Sequence, residues 1–482
     1  MDRIGKNIYS MINVIVVGLL FTIHYSLLTS CTPTPKDVVV RNQLPPIYPD
    51  YCDVTIPENI APLNFLLRAD CEAIEVKAGN ITINTNGNEV TFDLDEWKTL
   101  MAQNAGSEIS VTITALIDGR WITYMPFTWQ VVKDKVDPYL TYRLIEPDYE
   151  IWNNVQIQQR CVENFDVNAI GHYEQLENRC MNCHTYASQD PQLSMMYVRG
   201  PHGGAILNRG GKLSKLNIPG SVYFGFSPTG RYITYSTQKI IPAFHSLASK
   251  RLEVYDAASN VFVADMQEHR IISSPLLCDS LRFETFPTFS PDGKYIYYCS
   301  ADTVSLPQDI KNLQYSLVRI PFDESTGTIG SQVDTLFSQR SVCHPRISPD
   351  GRYILYTVAD YGTFPIWHPE ADLQMMNLDT GSIDSLAIVN SQKSDTYHSW
   401  SSNSRWFVFA SKRDDGLYGK PYFCYVDKDG KAHKPFCLPQ KHPTFYDNNL
   451  KSFNAPELGK GKLPFNVDDV AKAMREEAIP FK

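Results

Sequence analysis

Phe226-Ser227-Pro228-Thr229-Gly230-Arg231-Tyr232-Ile233 recurs as Phe289-Ser290-Pro291-Asp292-Gly293-Lys294-Tyr295-Ile296, and again as Ile347-Ser348-Pro349-Asp350-Gly351-Arg352-Tyr353-Ile354. A degenerate fourth copy is Trp400-Ser401-Ser402-Asn403-Ser404-Arg405-Trp406-Phe407, and the copies start 63, 58 and 53 residues apart. Self-similarity at a period of this length marks a repeat architecture. Ser-Pro-Asp-Gly is type I turn chemistry, with proline presetting φ at the second position and glycine closing the turn. The aromatic-rich alternation that follows fits a half-buried strand, and further hairpins come after it, such as Glu253-Val254-Tyr255-Asp256 or Gln374-Met375-Met376-Asn377-Leu378. Four strands per unit joined in this way make a propeller blade. An open sandwich or solenoid would leave sheet edges unpaired. The chain is therefore read as mainly β, with a propeller of five or six blades over 196–455. Four blades are visible, and Met195 to Leu216 is expected to pair with strands after Phe436 to close the ring.

Just upstream lies Cys180-Met181-Asn182-Cys183-His184, within a less regular segment, 136–195. Two thiols three positions apart can take the vinyl groups of a haem, with the adjacent histidine as proximal iron ligand. Covalent attachment of one haem c through Cys180 and Cys183, with His184 on the iron, is the leading expectation. Candidates for the second axial position are Met195, Met196, His172 and His202, and a five-coordinate iron is the other option. The competing readings are a disulfide between the two cysteines, or half of a zinc site that Cys161 and His172 would have to complete. The segment is short for a free-standing cytochrome domain, so flanking domains would have to supply walls, with Tyr149, Trp152 and Tyr186 as candidates. The nearby Gly200-Pro201-His202-Gly203-Gly204 resembles an oxyanion-hole turn, but no G-x-S-x-G nucleophile elbow follows, and a serine hydrolase is rejected. Those glycines are expected to form a tight loop.

The N-terminal 30 residues carry Arg3 and Lys6, then an apolar run from Met11 to Leu28, then Leu28-Thr29-Ser30-Cys31. This is a signal-peptide layout ending in a lipobox, with Cys31 as the lipidated first residue of the mature chain. A plain transmembrane anchor is the alternative. Residues 31–50 hold five prolines and read as an extended tether. Over 51–135 the pattern changes to short alternating strands: a hairpin turning at Asn86-Gly87, a helix marked by Leu94, Trp97, Leu100 and Met101, and a hairpin turning at Asp118-Gly119. Together they predict an immunoglobulin-like sandwich. The tail, 456–482, carries a short helix over Asp468 to Glu477 opened by Asn466.

An envelope location permits disulfides. Of 11 cysteines, eight remain after Cys31, Cys180 and Cys183 are set aside. Two pairings are expected, Cys52 with Cys71 and Cys424 with Cys437 across a hairpin turning at Asp429-Gly430. A net charge of -9 and the lack of a basic stripe exclude a nucleic-acid partner. Twenty-seven tyrosines suit sheets more than helical bundles. His344, His368 and His398 recur near blade strands and read as hydrogen-bonded core or rim residues.

The four repeat copies resemble the blades of TolB-like, WD-repeat-related propellers. The joint occurrence of lipobox, sandwich, C-x-x-C-H and these blades resembles exported Bacteroides-type lipoproteins described as TolB-like or as cytochrome c biosynthesis-like. That resemblance implies a periplasm-facing lipoprotein of the outer membrane, held by lipid on Cys31. Electron transfer with a propeller surface that docks a redox or envelope partner is then the first expectation of function. The alternative is a non-enzymatic propeller binding module for a protein or glycan, in which Cys180 and Cys183 form a disulfide or metal site.

Overall fold

The computed structural model describes residues 33–146, 154–218, 220–243 and 253–482. Cys31, the leader and the candidate haem-wall residues Tyr149 and Trp152 lie outside them.

Six sheets of antiparallel strands, each at least four strands wide, follow one another through the back of the chain. Their innermost strands are Met181–Ala187, Ser221–Phe226, Arg282–Phe289, Ser341–Ile347, Asp395–Trp400 and Ser452–Gly459. Each innermost strand lies beside those of its two neighbours, and Ser452–Gly459 returns to Met181–Ala187, which closes a ring. The protein is a six-bladed propeller. Blade 1 is shared by the two ends of the propeller region. Its inner strand, Ser452–Gly459, pairs with Tyr139–Ile145, which continues into Gln156–Cys161 and Val167–His172. Blade 2 is formed by Met181–Ala187, Asp190–Val198, Gly204–Arg209 and Lys212–Asn217, with Ile479–Pro480 added in parallel at its outer edge.

This arrangement changes two expectations. Residues 136–195 are not a separate stretch beside the propeller, because they supply three strands of blade 1 and the first two of blade 2. Met195 to Leu216 does meet a strand after Phe436, since Leu216 pairs with Ile479, but it lies in a complete blade of its own and the ring is closed by 452–459 joining 139–145. The expected helix of the tail is present as Val467–Met474, with Asn466 and Asp469 forming a capping box. Its buried face, Val467, Val470, Ala473 and Met474, packs in the core between blades 1 and 2.

The repeated turn works as its chemistry predicts. In the first three copies the glycine N–H donates to the serine carbonyl, at 2.8, 2.9 and 2.8 Å, and glycine takes φ near +70°. The serine hydroxyl accepts from the backbone N–H of the tyrosine opening the next strand, at 3.0–3.1 Å. The fourth copy keeps the geometry with Ser404 at φ 59°.

The front domain packs a seven-stranded sheet and a three-stranded sheet around Trp97, Trp129 and Phe92, whose rings lie 5.1–5.9 Å apart. Helix Leu94–Gln103 buries Trp97, Leu100 and Met101 and is capped by Asp93. The Asp118-Gly119 hairpin forms as expected. The Asn86-Gly87 hairpin does not: Ile81–Asn86 pairs back with Ala73–Ala78, and Glu89–Val90 crosses to the other sheet to pair with Phe65–Leu67. The turn chemistry is the same in both cases, but at Asn86-Gly87 it carries the chain between sheets.

The front domain is fastened to blade 6. Trp406 donates to Asp134 O at 2.6 Å, Asp137 accepts from the N–H and hydroxyl of Ser402, and Asn64 reaches the carbonyls of Gln440 and Lys441. At this junction Arg160 is buried and donates to the carbonyls of Cys161, Asn164 and Pro439 and to Gln440 Oε1. Burial lowers its guanidinium, whose acceptors here are all neutral oxygens.

Candidate axial binding site

Each inner strand of the ring carries the same irregularity. Between two paired positions it holds two residues where the second strand holds one, which is a β-bulge. The six bulges are Asn182-Cys183, Tyr223-Phe224, Phe286-Pro287, His344-Pro345, Tyr397-His398 and Ala455-Pro456. Opposite them stand Tyr197, Tyr235, Tyr298, Tyr356, Phe409 and Tyr142, one aromatic per blade. Tyr223, Phe286, His344, Tyr397 and Ala455 all take φ between 47 and 54°, a conformation that bulky residues rarely accept. A strain repeated at equivalent places in a ring is a built feature, because it re-aims side chains.

The re-aimed side chains meet around the axis. Phe286 and His344 have ring centres 4.0 Å apart, Tyr223 and Phe286 4.3 Å, and His344 and Tyr397 4.6 Å. Cys183, His184, Tyr223, Thr288, Arg346, Tyr397, Ala455 and Glu457 are only half-buried although they sit on the innermost strands. They border the axis of the ring, where a propeller has its central channel. His344 is 5 % exposed, and neither ring nitrogen has a hydrogen-bond partner. Burial and the neighbouring Arg346 keep its imidazole neutral, well below the usual histidine range.

Glu457 bridges the closure of the ring. Its Oε1 accepts from Thr185 Oγ1 at 3.0 Å and from the Tyr186 N–H at 2.9 Å, and burial pushes its carboxyl up to about 7. Tyr186, one of the expected haem-wall residues, hydrogen-bonds Thr141 and accepts from Gln159 Nε2 through its hydroxyl, so it belongs to the same closure. The long hairpin of blade 3, Tyr232–Ala243 and Glu253–Asp265, reaches past its own blade to blades 4 and 5, with Asp256 near Tyr223 at the axis. There the buried Asp256 accepts from Tyr315 OH at 3.0 Å and Thr363 Oγ1 at 3.2 Å, and Tyr361 OH donates to Glu253.

The C-x-x-C-H stretch is the blade 2 bulge. Cys183 stands where Pro287, Pro345 and Pro456 stand in other blades, and His184 where Arg346 and Glu457 do. Cys183 packs in the core between blades 2 and 3, and its sulfur accepts from the Tyr223 N–H at 3.2 Å. His184 faces the other way, toward blade 1, with Nε2 3.3 Å from Thr141 O. Burial lowers its imidazole to about 4. A covalent haem needs both thioethers and the iron ligand on one side of the strand, and Cys183 and His184 lie on opposite sides. Met196 pairs with His184 across the strands, side by side and about 5 Å apart at Cβ, so the two cannot sandwich an iron. Met195 and Met196 are core residues on opposite faces of blade 2, in the hydrophobic clusters toward blades 3 and 1 respectively. His202 is exposed and pairs with Glu177 at 2.9 Å, and His172 lies on the outer strand of blade 1. The residues as placed do not fit a haem. Among the described residues no group of three or more His, Cys, Asp or Glu side chains is arranged for a metal, so the half-zinc reading with Cys161 and His172 gains no site either.

The cysteines expected to pair are free thiols. Cys52 lies against Pro45 O and Cys71 against Gly87 O. Cys424 and Cys437 are on adjacent strands whose register sets Cys437 opposite Tyr422, two residues from Cys424, and the hairpin turn at Asp429-Gly430 forms without them. His398 Nε2 donates to Leu355 O and His368 pairs with Glu370, as core and rim residues do. Gly200 to Gly204 forms the expected tight loop, between the second and third strands of blade 2 beside Cys180.

The chain is similar in structure to an oligogalacturonate lyase in complex with manganese, at 14 % identity over 61 % of this chain and 72 % of that one, with a TM-score of 0.36. It is also similar to a Synechocystis apocarotenoid oxygenase mutant, at 12 % identity over 83 % and 95 %, TM-score 0.38. A third is the β-propeller domain of the Trilobed protease from Pyrococcus furiosus, at 9 % identity over 68 % and 81 %, TM-score 0.29. These likenesses are of fold class alone. No protein-family model matches the chain, and no curated protein does.

Proposed function

We propose that the protein is a non-enzymatic propeller binding module of the TolB-like kind, and that its ligand, an envelope protein or a glycan, is recognised at the axial channel. The observation that supports this is the ring of bulges, which brings Tyr223, Phe286, His344 and Tyr397 together around the axis and leaves Tyr223 and Tyr397 half-buried there. Aromatic faces with a few convergent polar groups are what recognition of a ligand uses. The lipid on Cys31 and the periplasm-facing location belong to the same proposal and rest on the leader sequence.

Two measurements test it. Equilibrium binding to a glycan array and to purified envelope proteins is compared for the parent, Tyr223→Ala and Tyr397→Ala. A loss of at least tenfold in both variants is expected, and unchanged affinity in both sinks the channel as the site. In parallel, the chain is expressed with a c-type maturation system and stained for haem on a denaturing gel. A haem that survives denaturation, and is lost from a Cys180→Ala, Cys183→Ala double mutant, would replace this reading with electron transfer.

A further inference from the structure

We infer that the axial channel is an oxyanion site, built to take a carboxylate or phosphate group of its ligand. The inference rests on the binding-module reading and names the chemistry of the ligand. Two guanidinium groups enter the channel from different blades. Arg143, on the second strand of blade 1, holds Asn454 Oδ1 at 2.9 Å and Met181 O at 3.3 Å. Arg346 sits at the blade 5 bulge and donates from Nη1 to Pro345 O at 3.3 Å. No carboxylate lies within ion-pair distance of Arg346 among the described residues. The carboxylate of the channel, Glu457, turns its Oε1 to Thr185 and Tyr186 on the neighbouring blade.

A guanidinium taken out of water is costly unless something repays its desolvation, and the acid that offsets Arg346, Glu457, is itself pushed up to about 7 by burial. Burial does lower Arg346. The planar fork of arginine suits a two-oxygen anion. The phenols of Tyr223 and Tyr397, half-buried on the inner strands, stand near Arg143, and that of Tyr397 is hydrogen-bonded to Asn454. His344, with two unpartnered ring nitrogens between Phe286 and Tyr397, completes a wall of donors and ring edges. The groups facing Arg346 from packed elements are therefore Glu457, His344, His398 and Cys183, of which Glu457 is the acid. Donors thus outnumber acceptors at the centre of a chain whose overall charge is -9.

The test uses citrate and inorganic phosphate as probes, titrated calorimetrically into the full soluble chain at constant ionic strength set with chloride. The parent, Arg346→Gln, Arg346→Lys and the remote control Arg231→Gln are compared. Binding of at least one probe is expected in the parent and in Arg231→Gln, weakened at least tenfold in Arg346→Gln and less in Arg346→Lys. Citrate preference marks a carboxylate ligand, and phosphate preference a phosphorylated one. Arg346→Lys keeps the charge, so it remains informative should Arg346→Gln fail to fold. No binding of either probe by the parent, or equal binding by the parent and Arg346→Gln, would overturn the oxyanion site. Either outcome leaves the binding-module reading standing if Tyr223→Ala and Tyr397→Ala still abolish recognition of the larger ligand.

Discussion

Asp256 fastens the long hairpin of blade 3 to blades 4 and 5, and replacing it tests whether that latch is a neutral one. The carboxyl is fully buried, its two hydrogen-bond donors are hydroxyls, and burial pushes it up to about 7 from an ordinary 3.8. A raised carboxyl binds a proton in the folded chain that the unfolded chain has released. Stability is therefore greatest below pH 3.8 and falls as pH rises toward 7, by about 1.4 kcal/mol per unit. Across roughly three units the loss is about 4 kcal/mol, and it stays constant above pH 7. In Asp256→Asn the amide oxygen can accept the same two hydroxyls and does not titrate. The variant should match the parent near pH 4 and be more stable by up to about 4 kcal/mol at pH 8. That figure is a ceiling, because the hairpin can lift and hydrate the carboxylate at the cost of its own docking. Urea unfolding of both proteins at pH 4.5, 6 and 8 gives the difference, in which Glu284 and Glu457 cancel because both proteins carry them. Hydrogen exchange of residues 253–258 reports whether the hairpin lifts in the parent alone. Stability curves that stay parallel from pH 4.5 to 8, with equal exchange, would refute the neutral-latch argument.

At the junction with the front domain, Arg160→Met should cost about 3 kcal/mol or more, since it leaves the carbonyls of Pro439 and Asn164 without their donor; denaturant unfolding measures it. Gly351→Ala should destabilise by roughly 1–2 kcal/mol from backbone strain alone, because φ is +76° and a Cβ there meets nothing. Gly293→Ala should cost a similar amount, since the atom its Cβ would meet, Glu324 Oε2 at 2.6 Å, is the end of a flexible side chain that can swing aside. Alkylation of the unfolded chain without reductant, read by mass spectrometry, should label Cys52, Cys71, Cys424 and Cys437; protection of either pair would contradict the free thiols seen here.

The propeller was legible because its turns are local. Ser-Pro-Asp-Gly states its own geometry within four residues, and the strand after it alternates visibly. The closure was not legible, since Tyr139 and Gly459 are paired across 320 positions and nothing in either segment names the other. The site was missed for a nearer reason. Extending the repeat upstream by three residues aligns Tyr223, Phe286, His344 and Tyr397, with proline following at 287 and 345, and that alignment places Cys183-His184 in the same register. Read alone, C-x-x-C-H points to haem; read as one copy of a bulge, it points to the axis. Spacing along the chain does not report which face of a sheet a residue takes, and a bulge changes that face within a single step.

Blade 1 has a consequence for the order in which the molecule can be completed. Its strands Tyr139–Ile145, Gln156–Cys161 and Val167–His172 are made early, while the strand that covers their inner edge, Ser452–Gly459, emerges about 300 residues later. Until then the nascent chain displays the open hydrogen-bonding edge of Tyr139–Ile145, a template for pairing with other chains. Closing so long a loop is slow, because its entropy is lost before any contact repays it. The five later blades can stack as they appear, but the axial wall has a gap between Met181–Ala187 and its missing neighbour throughout. A ligand of the proposed site would therefore meet complete walls only after Ser452–Gly459 has docked, so recognition would report that the ring has closed.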